Sequence, residues 1–401
     1  MQTQLADFIK DTPEGQEANA ILRSCVHCGI CTATCPTYQL LGDERDGPRG
    51  RIYLIKQMLE GETATVKTQL HLDRCLTCLA CETACPSGVK YGRLIEIGRD
   101  ILEKKVRRTW LDRIQRKVLR LILPYHSRFK PLLHIAGWFR PLLPKQLAKK
   151  IPVPSLASSW PEPRHVRKML VLEGCVQPAL APSINVAAAR VLDRLGISLI
   201  RAVDAGCCGA VSHHLTACDE GVEFMRRNID AWMPYLELGV EAIVTTASGC
   251  GLMVKQYAVA LKHDPAYAEK AARISALAFD LAEVLAQEDL SVLQMNTNRR
   301  IVFQSPCTLQ HGQQLNGLVE GLLFRLGFEL ITVANPHLCC GSAGTYSLLQ
   351  PDLSIRLLNN KLESLQFGKP DIIATANIGC LTHLQTGTDI PVKHWVELLD
   401  S

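Results

Sequence analysis

Short apolar runs alternate with amphipathic stretches through the C-terminal part of the chain. "KMLVLEGC" and "RIVFQSPC" each carry a strand-type run that stops at a cysteine. "AARVLDRLGISLI" and "VEGLLFRLGFELI" each read as an amphipathic helix, a glycine stop and a short strand. "EAIVTTASGC" and "DIIATANIGC" read as strands whose ends deliver another cysteine. Strand, helix, strand, helix, strand, met twice, predicts a duplicated α/β domain with parallel sheets. An insertion around "LKHDPAYAEKAARISALA" predicts one added helix in the first copy. Nearer the N-terminus, "GPRGRIYLIKQMLEG" predicts a helix. In "KKVRRTWLDRIQRKVLRLIL", Val106, Trp110, Ile114, Val118, Leu121 and Ile122 recur at helical spacing with charges on the other face.

Cysteine usage changes this picture most. The chain has 17 cysteines in 401 residues. Its first residues, "MQTQLADFIKDTPEGQ", lack the basic start and apolar core of a secretion signal. A reducing cytoplasm is therefore expected, where clustered cysteines hold metal more often than they form disulfides. No apolar run approaches the roughly 20 residues that span a bilayer.

"CVHCGICTATCP" and "CLTCLACETACP" both show C-x2-C-x2-C-x3-C-P spacing. This is the two-cluster ferredoxin signature, in which the fourth cysteine of one run ligates the other cluster. It assigns Cys25, Cys28, Cys31 and Cys85 to one [4Fe-4S] cluster. Cys75, Cys78, Cys81 and Cys35 fall to a second, with Pro36 and Pro86 turning the chain away. Structural zinc is the competing reading of C-x2-C pairs. The helix expected between the runs points to the helical kind of two-cluster module. Val26, Ile30, Leu76 and Leu79 are expected to shield the clusters from water.

The repeat carries two further sets. Cys175, Cys207, Cys208 and Cys250 form one; Cys307, Cys339, Cys340 and Cys380 form the other. The glycine after each vicinal pair, Gly209 or Gly341, suggests a tight turn or a close backbone approach. Buried inert thiols, zinc and a cluster all remain open for each set. Cys218 lies outside both.

The repeat resembles the cysteine-rich CCG domain of heterodisulfide reductases and their relatives. That family's motif ends in C-x2-C, which this chain lacks: Met253 follows Cys250 and His383 follows Cys380. The resemblance leaves room for one further [4Fe-4S] cluster or zinc per repeat. It makes Cys307, Cys339, Cys340 and Cys380, with His383, the fuller ligand set. The order of modules, with "CVHCGICTATCPTYQLLGDERDGPRGRIYLIKQMLEG" and "CLTCLACETACPSGVKYGRLIE", resembles the iron–sulfur subunits of glycolate oxidases (glycolate dehydrogenases) along the whole chain. This resemblance implies an electron-transfer subunit that is not catalytic alone. Electrons would come from FAD-containing, glycolate-oxidising partner subunits and leave to a membrane quinone. Its cousins imply alternatives: a lactate or glycerol-3-phosphate dehydrogenase iron–sulfur subunit, or a heterodisulfide-reductase-like catalytic chain. No G-x-G-x-x-G opens a helix after a strand, so no flavin or nicotinamide site is expected in this chain.

Charge adds one feature. The chain is net +5, but Arg99 to Lys150 holds fifteen Lys and Arg against three acids, so the remainder is net negative. A basic amphipathic helix with a tryptophan suits an anionic membrane surface, here the inner face of the cytoplasmic membrane. Phe129, Trp138 and Phe139 follow among prolines. Nucleic acid is not expected, since no recognition motif accompanies the charge. The expected organisation is a helical two-cluster ferredoxin domain at 1–98 and a basic amphipathic linker at 99–165. The CCG repeats follow at 166–295 and 296–401.

Overall fold

The computed structural model describes residues 1–142, 159–294 and 299–400. Part of the basic linker and the expected boundary between the repeats lie outside the described residues. The chain divides into two compact units. One joins Met1–Gln115 to Asn335–Lys361; the other joins Arg116–Ala334 to Leu362–Ser401.

The first unit is helical, as its signature suggested. Its main helices are Pro13–Ser24, Pro48–Leu59, Val66–Asp73 and Tyr91–Lys105. Thr12 caps the first by accepting from the Gly15 amide at 3.0 Å, and Pro13 supplies the fixed φ of a first helical residue. Ala18, Leu22, Ile55, Met58, Leu94 and Leu102 meet in one core. The last helix runs through residue 98 without a break. Arg108 follows it with its side chain 4% exposed and binds Asp73 at 2.6 Å, Glu103 at 2.6 Å and Asp112 at 3.0 Å. Replacing Arg108 by alanine leaves three carboxylates without their cation. We expect a loss of about 2 kcal/mol in urea unfolding, below the cost of a fully buried pair because the acids stay partly hydrated.

The second unit contains two four-stranded sheets. Strands β1 (Arg167–Leu172), β2 (Ile197–Arg201), β3 (Ile243–Thr245) and β4 (Ala278–Asp280) form the first. Strands β5 (Arg300–Gln304), β6 (Glu329–Ile331), β7 (Ile372–Thr375) and β8 (Val392–His394) form the second. The strand orders are β2-β1-β3-β4 and β6-β5-β7-β8, and all pairs are parallel. Identical order in the two sheets agrees with the duplication read from the twice-met strand–helix pattern. The inserted helix is Ala268–Ala276. A continuous core, including Val171, Ala188, Val244, Ile301, Leu323 and Trp395, spans both repeats. The last cysteine of each set sits one step later than expected. Cys250 and Cys380 lie in the first turns of the helices Ser248–Lys255 and Ile378–Gly387, not at strand ends.

Two buried groups give this unit opposing pH responses. Burial pushes the Asp280 carboxyl up to about 7. Its Oδ1 accepts from the Ala282 amide while its Oδ2 has no partner. The folded chain keeps a proton there that the unfolded chain releases, so stability falls as pH rises from about 4 to about 7. Burial pushes His394 down to about 4, with its Nε2 2.7 Å from the Thr246 carbonyl. That contribution falls as pH drops from about 6.5 toward 4. Asp280→Asn keeps a capping side chain and removes the first slope. Its unfolding free energy should gain on the parent's between about pH 5 and pH 8, by at most about 3 kcal/mol at about 1.4 per pKa unit. A constant difference across that range would contradict the assignment.

Candidate metal centres

The two C-x2-C-x2-C loops of the first unit share one backbone device. His27 and Gly29 flank Cys28 with φ of 62° and 84°; Thr77 and Leu79 flank Cys78 with φ of 53° and 62°. Left-handed residues on both sides of the middle cysteine curl each loop, and three of the four are not glycine. Such strain persists where a site demands it.

Two cavities lie inside these loops. Cys25, Cys28, Cys31 and Cys85 line one of about 440 Å³, together with Arg49, Ile52 and Tyr91. Cys35, Cys75 and Cys78 line one of about 290 Å³, with Arg51, Thr37 and Tyr91. Cys81 touches both. Each wall thus includes the fourth cysteine of the other run, carries an arginine and holds no carboxylate. Soft thiolates without hard oxygen ligands fit an iron–sulfur cluster. Of the four expected shielding residues, Leu76 and Leu79 line the smaller cavity, Leu76 buried and Leu79 half-buried. Val26 lines the larger one while remaining 68% exposed, and Ile30 is 52% exposed.

The two sites differ in charge. Burial pushes the Cys31 thiol up to about 11, with Cys25 adding to the rise. Burial acts on Cys75 in the same sense, but the guanidiniums of Arg51 and Arg99, together with the Tyr91 hydroxyl and the Thr77 amide, outweigh it and hold that thiol below its ordinary value. The Tyr91 hydroxyl donates to Cys75 Sγ at 3.4 Å, as does the Thr77 amide at 3.4 Å. Arg51 is buried and donates to the His71 carbonyl at 2.7 Å and to Thr37 Oγ1 at 3.1 Å. It shares Asp46 with Arg74 and His71. Sequence reasoning missed Arg51, Arg99 and Tyr91. Arg51 left a signal: it occupies the apolar stripe of its helix between Pro48 and Ile55.

In the second unit, Cys175, Cys207, Cys208 and Cys250 come together. Cys207 is within hydrogen-bonding reach of Cys175 and of Cys208, and Cys208 of Cys250. The two neighbouring thiols donate into Cys207 and hold it well below the usual thiol range, helped by the Gly209 amide and Arg227. Arg227 Nε and Nη2 are buried and have no hydrogen-bond partner. Met253 is 4% exposed and belongs to the buried apolar cluster that includes Met225, Trp232, Val254 and Cys208, with Cys250 packed against it.

The second set is distributed differently. Cys339 and Cys340 are buried in the first unit, on the segment Asn335–Lys361. Cys307, Cys380 and His383 belong to the second unit. Burial pushes the Tyr346 phenol upward, reinforced by Cys75 and countered by Arg51, with Cys339 adding to the rise. Its hydroxyl donates to the Arg74 carbonyl at 3.1 Å.

Both glycines of the vicinal pairs are explained. Gly209 has φ +92° and Gly341 φ +88°; a Cβ there would lie 2.7 Å from the Gly221 carbonyl oxygen or 2.6 Å from that of Ser354. Both the turn and the close approach are real. Gly341→Ala should therefore cost at least about 2 kcal/mol, measured by denaturant midpoint, whereas alanine at Gly344, which has open space but φ +61°, should cost about 1 kcal/mol.

A family model described as a 4Fe-4S dicluster domain matches residues 21–89, and one described as a cysteine-rich domain matches residues 169–255 and 301–385. The chain is 55% identical over 401 residues to the glycolate oxidase iron-sulfur subunit of Escherichia coli (strain K12), covering 100% of this chain and 98% of that protein. It is 29% identical over 399 residues to the probable glycolate oxidase iron-sulfur subunit of Bacillus subtilis (strain 168), covering 92% and 89%. It is 26% identical over 246 residues to lactate utilization protein A of Geobacillus thermodenitrificans (strain NG80-2), covering 58% of this chain and 98% of that one.

Proposed function

The chain belongs to the family of glycolate oxidase iron–sulfur subunits, and from that we propose that it carries electrons from a flavoprotein oxidising glycolate to glyoxylate toward a membrane quinone. Its electron-transfer role as an iron–sulfur subunit follows from the family; the flavoprotein and the quinone are our reading. Glycolate is favoured as the partner's substrate because the glycolate oxidase relatives match nearly the whole chain, whereas lactate utilization protein A matches little more than half.

The observation that carries the proposal is the pair of thiol-lined cavities in the first unit. Cys25, Cys28, Cys31 and Cys85 would hold one [4Fe-4S] cluster; Cys35, Cys75, Cys78 and Cys81 would hold the other. Such a cluster, when bound, supplies reversible one-electron chemistry. The chain's own residues fix the thiols, exclude water through Ile52, Leu76 and Tyr91, and place guanidiniums beside the sulfurs. Tyr346 ties the segment bearing Cys339 and Cys340 to Arg74, next to Cys75. The vicinal pair would thus extend the route beyond the second cavity. Cys175, Cys207, Cys208 and Cys250 would hold a further cluster or zinc.

We place the protein on the inner face of the cytoplasmic membrane. Among the described residues no helix is long and apolar enough to cross a membrane. The helix Trp110–Ile122 buries none of its residues and exposes Trp110, Leu111, Ile114, Val118 and Leu121, while Arg113 and Lys117 flank them. The next helix, His126–Phe139, exposes Leu132, Ile135, Trp138 and Phe139. Apolar residues beside cations suit an interface of anionic lipid. The test of the relay is reconstitution. The purified chain should hold about eight irons or more and should not oxidise glycolate by itself. Adding the flavoprotein should restore glycolate-dependent quinone reduction. Glycolate turnover by the isolated chain would overturn the reading.

A further inference from the structure

Adding an electron to a cluster adds negative charge, so nearby cations and donors to its sulfurs make reduction easier. The surroundings of the two cavities in the first unit differ in this respect. Arg51 Nη1 lies 4.0 Å from Cys35 Sγ, and its side chain is 1% exposed. Thr37 Oγ1 is 3.3 Å from the same sulfur. Tyr91 and the Thr77 amide both donate to Cys75. Arg99 donates to the carbonyls of Leu72 and Cys75, both at 2.7 Å, and no carboxylate is among these partners. Asp46 is shared by Arg51 and Arg74. Asp43, whose carboxylate lies within 4.8 Å of that of Asp46, is matched by Arg45 at 2.7 Å, which leaves Arg51, Arg74 and Arg99 facing Asp46.

The other cavity has Arg49, whose charge is matched by Glu44 at 2.8 Å, with side chains 32% and 47% exposed. Water at the exposed Cys28 also favours reduction there, and opposes the difference. Its effect is the smaller one, because a charge at a given distance acts about four times more strongly at an effective dielectric of about 20 than in water.

We infer that Arg51 and Arg99, with the Tyr91 hydroxyl, make the Cys35–Cys75–Cys78–Cys81 site the more easily reduced of the two. Electrons arriving at the Cys25–Cys28–Cys31–Cys85 site then run downhill toward it. The sink lies on the side where Tyr346 anchors the segment carrying Cys339 and Cys340. The exposed rim of Val26, Ile30 and Tyr53 marks the side of entry. Arg51, Arg99 and Tyr91 are positioning residues, and the inference rests on both sites holding clusters.

The test uses the full-length chain with clusters assembled anaerobically and a potentiometric titration followed by electron paramagnetic resonance. Arg51→Gln exposes Asp46 to an unbalanced burial and could unfold the unit, so Arg99→Gln and Tyr91→Phe carry the test. Each should move only the cluster with the higher midpoint, and move it downward. For Arg99→Gln we expect a tenfold lower ratio of reduced to oxidised cluster at fixed potential, equivalent to 59 mV for one electron. Arg99→Lys should restore most of it, and Arg49→Gln should leave that midpoint in place. Movement of the lower-potential cluster, equal movement of both, or no movement overturns the inference. An iron content far below about eight per chain, or zinc in its place, overturns instead the cluster reading beneath it.

Discussion

Cys85→Ala is expected to empty the site of the opposite cysteine run. Cys85 shares the wall of the larger cavity with Cys25, Cys28 and Cys31, while Cys75, Cys78 and Cys81 line the smaller one with Cys35. Iron should fall by about half, and the surviving signal should be the one that Tyr91→Phe can shift. Glycolate-dependent quinone reduction by the reconstituted complex should drop by more than about a hundredfold, beyond the 10–100-fold cost of losing an outer partner. Cys35→Ala should give the mirror result. If Cys85→Ala instead abolished the signal sensitive to Tyr91→Phe, each run would be holding its own cluster.

The second large effect concerns the exposed helix Trp110–Ile122. Trp110→Glu combined with Ile114→Glu and Val118→Glu should release the chain from vesicles rich in phosphatidylglycerol. Each of these side chains contributes about 1.5–3 kcal/mol when buried in an apolar phase, so losing all three exceeds a thousandfold in partitioning. Co-sedimentation measures it, and fluorescence of the remaining tryptophans checks that the fold is intact. Since none of the three is buried, stability should change little. Arg113→Glu with Lys117→Glu should weaken binding in low salt and matter less in high salt. Undiminished sedimentation of the triple variant would remove the membrane role from this helix.

Much of the architecture is legible in local pattern. The octet spacing, the matched 'LEGC' and 'QSPC' strand ends and the two helix–glycine–strand passages follow from rules that act over a few residues, and the observed sheets obey them. The misses are long-range. Arg51 reaches Asp46, Thr37 and the His71 carbonyl, groups brought together only by tertiary folding. Met253 stands at the spacing of a lost ligand, and the fold uses it in the apolar cluster that backs Cys208 and Cys250. Ile30 is an apolar neighbour of cysteines, yet it is 52% exposed and does not line the cavity beside it. Nothing local tells that Asn335–Lys361 joins the N-terminal unit through Tyr346 with Arg74 and Arg356 with Leu40.

That joining has a consequence for biosynthesis. The N-terminal unit is built from two stretches separated by the whole span from Arg116 to Ala334. At a synthesis rate of about 5–20 residues per second, roughly thirteen to fifty seconds pass between the emergence of Cys85, the last of the eight N-terminal cysteines, and that of Tyr346. During that interval Tyr346 cannot yet bond to the Arg74 carbonyl, nor Arg356 to that of Leu40. The nascent chain therefore has a period in which its N-terminal cysteine runs lack these contacts, and a later point at which the segment that makes them arrives.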